Sequence, residues 1–128
     1  MEIIVCLDDR GGMLFNNRRQ SKDGAVLADI KARLSGVLTI DAFSEKLISQ
    51  AGIPYEIKKP EGDCVFFAEN VSVGEIIPRC TRVVIYKWNR AYPFDLKFDA
   101  DLAEFSLKES TEFAGTSHDK ITREVYER

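Results

Sequence analysis

Three short apolar runs constrain this chain more than any other feature. Residues 3–7, 64–68 and 83–86 each run without a charge. Each is too short for a helix, and the first and last are rich in β-branched residues. That pattern fits strands buried on both faces, as in a parallel sheet covered by helices. Between the first two runs, Val26, Leu27, Ile30 and Leu34 recur at helical spacing. Ser21 or Asp23 stands where a side-chain oxygen can cap that helix, and Gly36 stands where a left-handed residue can end it. Residues 37–40 read as a second strand. Asp41 caps a second helix with Phe43, Leu47, Ile48 and Ala51 on one face, and Gly52 and Pro54 lie just beyond its end. Residues 55–58 alternate like an edge strand, and 59–63 form a turn. One helical turn is expected around Val73 to Ile77, stopped by Pro78.

The pattern then changes. Leu96, Phe98, Ala100 and Leu102 alternate with polar residues, as do Ala103, Phe105 and Leu107. Half-exposed antiparallel strands read this way. A turn at 115–119 precedes a Thr-, Ile-, Val- and Tyr-rich strand at 121–126. The expected fold is α/β with an α+β second half: a mixed β-sheet with two main helices, a βαβ-like N-terminal half and an antiparallel C-terminal hairpin. A hairpin projecting from such a sheet suits a homo-oligomer contact. The 128 residues make one domain, 1–128.

Function classes narrow on charge and length. The net charge of −3 gives no global attraction to nucleic acid or acidic membranes, so an anion site must be a local cluster. No apolar stretch approaches the ~20 residues of a membrane helix, and the N-terminus lacks the basic flank of a signal peptide. Three cysteines without metal-type spacing indicate reduced thiols and a cytoplasmic protein.

The chemistry gathers after the first strand. Residues 8–23, DDRGGMLFNNRRQSKD, hold acids, arginines and asparagines where a plain connection needs only a few residues. Ligands of open α/β sheets bind beyond the carboxyl ends of strands. Asp8 and Asp9 begin there and would hold a hard cation such as Mg2+. The competing role for Asp8 is to cap the strand and pair with an arginine. The fuller acidic patterns fail: a DxD phosphatase needs an acid where Arg10 stands, and the run 64–68 ends in Glu69 and Asn70 rather than a phospho-acceptor aspartate.

Arg18, Arg19, Gln20 and Ser21 immediately precede a helix N-terminus, whose free N–H groups and dipole favour an anion. Arginine adds a fork that matches phosphate or carboxylate. Neither a P-loop nor a dinucleotide fingerprint is present. The rival reading pairs both arginines with Asp8, Asp9 and Asp23. Met13, Leu14 and Phe15 either anchor the loop on the sheet or form a short ladder with Gly11 and Gly12 as its turn.

A second polar and aromatic loop, KWNRAYPFD at 87–95, follows the third apolar run. If the strands are parallel, both loops open on one sheet edge. Trp88 and Tyr92 would then stack on a ring and Arg90 would add charge; otherwise Trp88 and Phe94 complete the core. Ser117, His118 and Asp119 are contiguous and cannot form a triad. His118 is expected to be solvated. Cys80 lies between Arg79 and Arg82, which favours its thiolate, but no partner base is apparent.

The segment CLDDRGGMLFNNRRQSKD, with looser likeness at KWNRAYPFD and ITREVY, resembles a family of small bacterial proteins, some of them automatically labelled ribonuclease Z. The resemblance carries no established activity or cofactor. The ribonuclease Z chemistry needs an HxHxDH zinc motif and further histidines, and this chain has one histidine.

The expected function is therefore binding: a small anionic ligand on Arg18, Arg19, Gln20 and Ser21, flanked by Trp88 and Arg90. The alternatives are an Mg2+-assisted phosphoesterase on Asp8 and Asp9 and a non-catalytic homo-oligomeric interaction protein. No general base is in view, so the balance lies against catalysis.

Overall fold

A computed structural model describes residues 1–128. Strand β1 (Glu2–Leu7) lies at its centre. It pairs in parallel with β6 (Val65–Phe67) on one side and β7 (Arg82–Lys87) on the other. Beyond β6 come β4 (Leu38–Ile40) and β5 (Tyr55–Ile57), also parallel. Beyond β7 come antiparallel β10 (Ile121–Glu127) and β9 (Ser106–Phe113). The seven-stranded order is β5-β4-β6-β1-β7-β10-β9. The three apolar runs thus become the central parallel strands, as their composition requires.

Each face of the sheet carries its own core. Ile3, Val5, Leu7, Val83 and Ile85 pack with α3 (Val73–Ile76). Ile4, Val84 and Tyr86 pack with Val26 and Ile30 of α1 (Gly24–Arg33) and Leu47 and Ile48 of α2 (Glu45–Gln50). The period-2 alternation of a strand explains why neighbours along β1 and β7 divide between the two. No helix is long and apolar enough to cross a membrane.

A second, three-stranded sheet is built from the loop after β1. Its order is β3 (Arg18–Arg19), β2 (Gly12–Phe15), β8 (Leu96–Lys97). Asn16 and Asn17 turn β2 into β3 with φ of 52° and 58°, the positive pair that a tight hairpin needs and asparagine tolerates. Met13 and Leu14 are buried, so the segment is both ladder and anchor, but its hairpin turn is Asn16–Asn17 and not Gly11–Gly12, since Gly12 already belongs to β2.

Three expectations are corrected. The C-terminal hairpin does not project: β10 runs along β7 for six paired positions because Ile121 and Val125 belong to the α1-side core. Its partner β9 is the exposed outer edge, with Leu107 half exposed. Residues 96–105 form no long strand; only β8 pairs, while Leu96, Phe98, Ala100 and Leu102 lie across the core that contains α3. An extended segment with one side down alternates just as a ladder does. The expected turn around Val73 to Ile77 is present as α3, which ends at Ile76 just before Pro78; Pro78 itself sits in a 3-10 turn, Ile77–Arg79, where its missing N–H needs no partner. Helix α1 ends at Arg33 with Leu34 extended, so Gly36, at φ 92°, serves the following turn.

Candidate functional site

The loops after β1 and β7 meet at the carboxyl edge of the sheet. The Asp9 N–H donates to the Arg90 carbonyl, and the Asp95 N–H donates to that of Leu14. Asp8 is the clamp between them. Its Oδ1 accepts from the N–H groups of Arg10 and Gly12, and its Oδ2 accepts from that of Tyr92 at 3.0 Å. Burial alone would raise the Asp8 carboxyl, but these backbone donors outweigh it and hold the group below its ordinary range. Asp8 therefore organises the loops with both oxygens. Asp9 is exposed, and no group of three His, Cys, Asp or Glu side chains converges to hold a metal ion.

Arg19 finds an acid, though not one near it in sequence. Its Nε and Nη2 donate to Glu69 at 2.5 and 2.7 Å, and Ser44 donates to the same carboxylate at 2.6 Å. Arg18 projects from the exposed β2–β3 hairpin. With Arg19, Lys22 and Lys46 it lines an open groove of about 560 Å³, floored by Phe43 and Leu47, and no acid lines that groove. Of the four cations only Arg19 is in an ion pair. Gln20 turns away, its Nε2 donating to the Pro93 carbonyl at 3.2 Å. Arg90 is exposed and lines no part of the groove. Behind the groove, a narrow cleft lined by Cys6, Ser21, Asp23 and Trp88 keeps only about 20 Å³ of free room, the space of about one water. Burial pushes the Cys6 thiol up and makes it inert. Burial likewise raises Cys80, against the pull of its arginine neighbours.

The least anticipated feature lies at the mouth of α1. Asp23 is the N-cap, accepting from the Ala25 N–H at 2.9 Å. It also accepts from the N–H groups of Thr116 and Ser117 in the β9–β10 turn. Its backbone is extended, with φ −150°. In an extended segment residues i and i+2 share a side, so Ser21 and Asp23 both meet His118, Asp23 buried and Ser21 at the inner edge of the groove that Lys22 also lines. Between them sits His118. Its Nδ1 lies 2.9 Å from Asp23 Oδ2, and its Nε2 lies 3.2 Å from Ser21 Oγ and 2.8 Å from the Tyr92 hydroxyl. Trp88 stacks on the imidazole with ring centroids 4.7 Å apart.

His118 is thus buried, with its side chain 2% exposed, where the sequence suggested a solvated turn. The reason is tertiary: the turn folds back onto the α1 cap, and Trp88 closes over it. Burial alone would raise the Asp23 carboxyl, yet the His118 ring and the amides of Thr116, Ser117 and Ala25 hold it far below its usual range. The Asp23 carboxylate accepts only, so it selects the tautomer of the neutral ring with the proton on Nδ1 and the Nε2 lone pair toward Ser21 and Tyr92.

Gly115 makes the close approach feasible. A Cβ there would lie 2.5 Å from Asp23 Oδ2 and 2.6 Å from the His118 carbonyl. Gly115→Ala is expected to cost about 2 kcal/mol by overpacking and to unstack Trp88 from His118. Urea denaturation and Trp88 fluorescence check both; an unchanged midpoint and spectrum would contradict the packing.

This central parallel sheet with an antiparallel edge has the dihydrofolate reductase-like α/β fold. The chain is similar to dihydrofolate reductase from Enterococcus faecalis, solved in complex with NADP(H) and RAB-propyl: the TM-score is 0.72, with 99% of this chain and 95% of that chain covered at 14% identity. Identity so low bears on the fold alone. No family model and no curated protein matches the chain.

Proposed function

We propose that the protein binds a small ligand bearing a phosphate or carboxylate, seated in the groove beside the mouth of α1. The observation that carries this is the set of Arg18, Lys22 and Lys46, three cations without an acidic partner around a concave surface that no carboxylate lines. In a chain of net charge −3, such a cluster supplies locally the positive field that the overall charge does not. Its size is that of a small-molecule site. Phe43 and Leu47 give an apolar floor, and Arg19 contributes a charge that Glu69 already partly neutralises. Gln20, Trp88 and Arg90 do not reach the ligand; Trp88 supports the site through His118.

A thermal-shift series with inorganic phosphate, sugar phosphates, dicarboxylates, nucleotides and NADP(H) tests this. A ligand at a hundredfold its Kd adds about 2.7 kcal/mol, a rise on the order of 10 °C. The rise should shrink with salt and disappear in the double variant Arg18→Ala, Lys22→Ala. Stabilisation by no anion at millimolar concentration, or equal stabilisation of the double variant, would overturn the reading.

A further inference from the structure

We propose that Ser21 is a nucleophile activated by His118, with Asp23 as the positioning residue, and that the protein hydrolyses small carboxylic esters. The substrate class rests in one respect on the binding reading above: an anionic group on the ester would lie on Arg18 and Lys22.

Two segments remote in sequence build the arrangement, Ser21 and Asp23 before α1 and His118 in the β9–β10 turn. Asp23 Oδ2, His118 Nδ1, His118 Nε2 and Ser21 Oγ follow one another at 2.9 Å and, across the ring, 3.2 Å. That is the order and spacing of a nucleophile, its base and the group that orients the base. The imidazole cannot wander, because Trp88 stacks on it and the Asp23 carboxylate is itself fixed by three backbone amides. His118 is buried, whereas Ser21 is only half buried and lines both the cleft and the groove. The base is reached through the serine, and the serine is reached from solvent. A helix cap and a core histidine would satisfy each other without a hydroxyl standing at Nε2 on the groove side.

In the reaction, Ser21 Oγ attacks the ester carbonyl carbon as its proton passes to His118 Nε2. The tetrahedral adduct collapses, the C–O bond to the alcohol breaks, and His118 returns the proton to the departing oxygen. Water then attacks the acyl-serine, giving its proton to Nε2. Collapse of this second adduct frees the acid and returns that proton to Ser21. The sum is ester plus water to acid plus alcohol.

Tyr92 supplies an internal control. Its hydroxyl lies 2.8 Å from the same Nε2 and 3.4 Å from Ser21 Oγ, so two hydroxyls share one lone pair. Removing the phenol should leave Nε2 to Ser21.

The experiment is labelling of the full chain with a neutral alkyl fluorophosphonate, read by intact mass and peptide mapping, beside hydrolysis of p-nitrophenyl acetate. A single adduct on Ser21 is expected, absent in Ser21→Ala and slowed at least a hundredfold in His118→Gln. Tyr92→Phe should accelerate it severalfold, which keeps the test decisive should His118→Gln melt early. No adduct on the wild type, an adduct elsewhere, or labelling of Tyr92→Phe no faster than wild type would overturn the proposal. The probe carries no charge for the groove, so labelling can fail while anion stabilisation stands, and the reverse.

Discussion

Exchanging Asp23 for asparagine is expected to remove about 3–5 kcal/mol of stability, the cost of breaking a buried charged network from one side. Asp23 is 1% exposed. Its two oxygens accept from the amides of Ala25, Thr116 and Ser117 and from the His118 ring. An asparagine amide keeps one acceptor and turns two N–H donors toward donors. The carboxylate is the main tie between the mouth of α1 and the β9–β10 turn, beside the bond from the Gly24 N–H to Thr116 Oγ1 at 2.8 Å. The pH dependence follows from the sign of the shift. A carboxyl held below its unfolded value of about 3.9 contributes fully above that pH and loses its contribution as pH falls toward the folded value. The gap in stability between wild type and Asp23→Asn is therefore widest above about pH 4 and closes below it, by up to about 1.4 kcal/mol per pH unit. Urea titrations read at Trp88, the one tryptophan of the chain, measure this directly. A gap that stays constant to pH 2.5 would show that the carboxylate is not held as described.

The same residue shows what could be read from the sequence. That a side-chain oxygen just before α1 caps it was legible, because capping is local, although Ser21 and Asp23 were equal choices and the structure selects Asp23. The central strands were legible for the same kind of reason, since an uncharged run of β-branched residues has few other uses. The Asn16–Asn17 hairpin left a local signal in its two turn-forming residues, although the segment 13–15 alone read equally as an anchor. Residues 96–105 misled because alternation reports which side of an extended chain is buried, and says nothing of whether a neighbour pairs with it.

The site was legible only by halves. From sequence Ser21 reads as an anion ligand and His118 as a solvated turn residue. Their meeting depends on β10 docking along β7 and carrying its turn back to α1, a contact between positions 97 residues apart. Nothing local in either segment encodes it. The sole histidine beside a serine and an aspartate drew attention to the wrong neighbours, since Ser117 lends His118's partner only a backbone N–H. Arg19 is a like case: the nearby acids Asp8, Asp9 and Asp23 seemed its natural partners. Asp8 and Asp23 are taken by backbone donors, so Arg19 reaches Glu69 at the end of β6 instead.

That pairing sets up a second large effect, with two readouts of opposite sense. Glu69→Gln removes the charge facing Arg19, whose side chain is 25% exposed against 9% for Glu69. A fully buried pair broken this way costs 3–5 kcal/mol; the partial exposure of Arg19 lets water share its charge, so about 2–3 kcal/mol is expected. Anion binding should move the other way. Arg19 lines the groove, and removing the Glu69 charge leaves its positive field unopposed, so phosphate affinity should rise severalfold, on the order of 1 kcal/mol, fading as salt shortens the Debye length. Arg19→Met gives the complementary test: it also destabilises, by leaving Glu69 buried without its cation, but it subtracts charge from the groove and weakens the anion. Two variants that both lower the urea midpoint while shifting phosphate affinity in opposite directions would separate the structural role of the pair from its electrostatic one. If both variants weaken binding alike, the groove depends on the shape that the pair maintains and not on the charge it withholds.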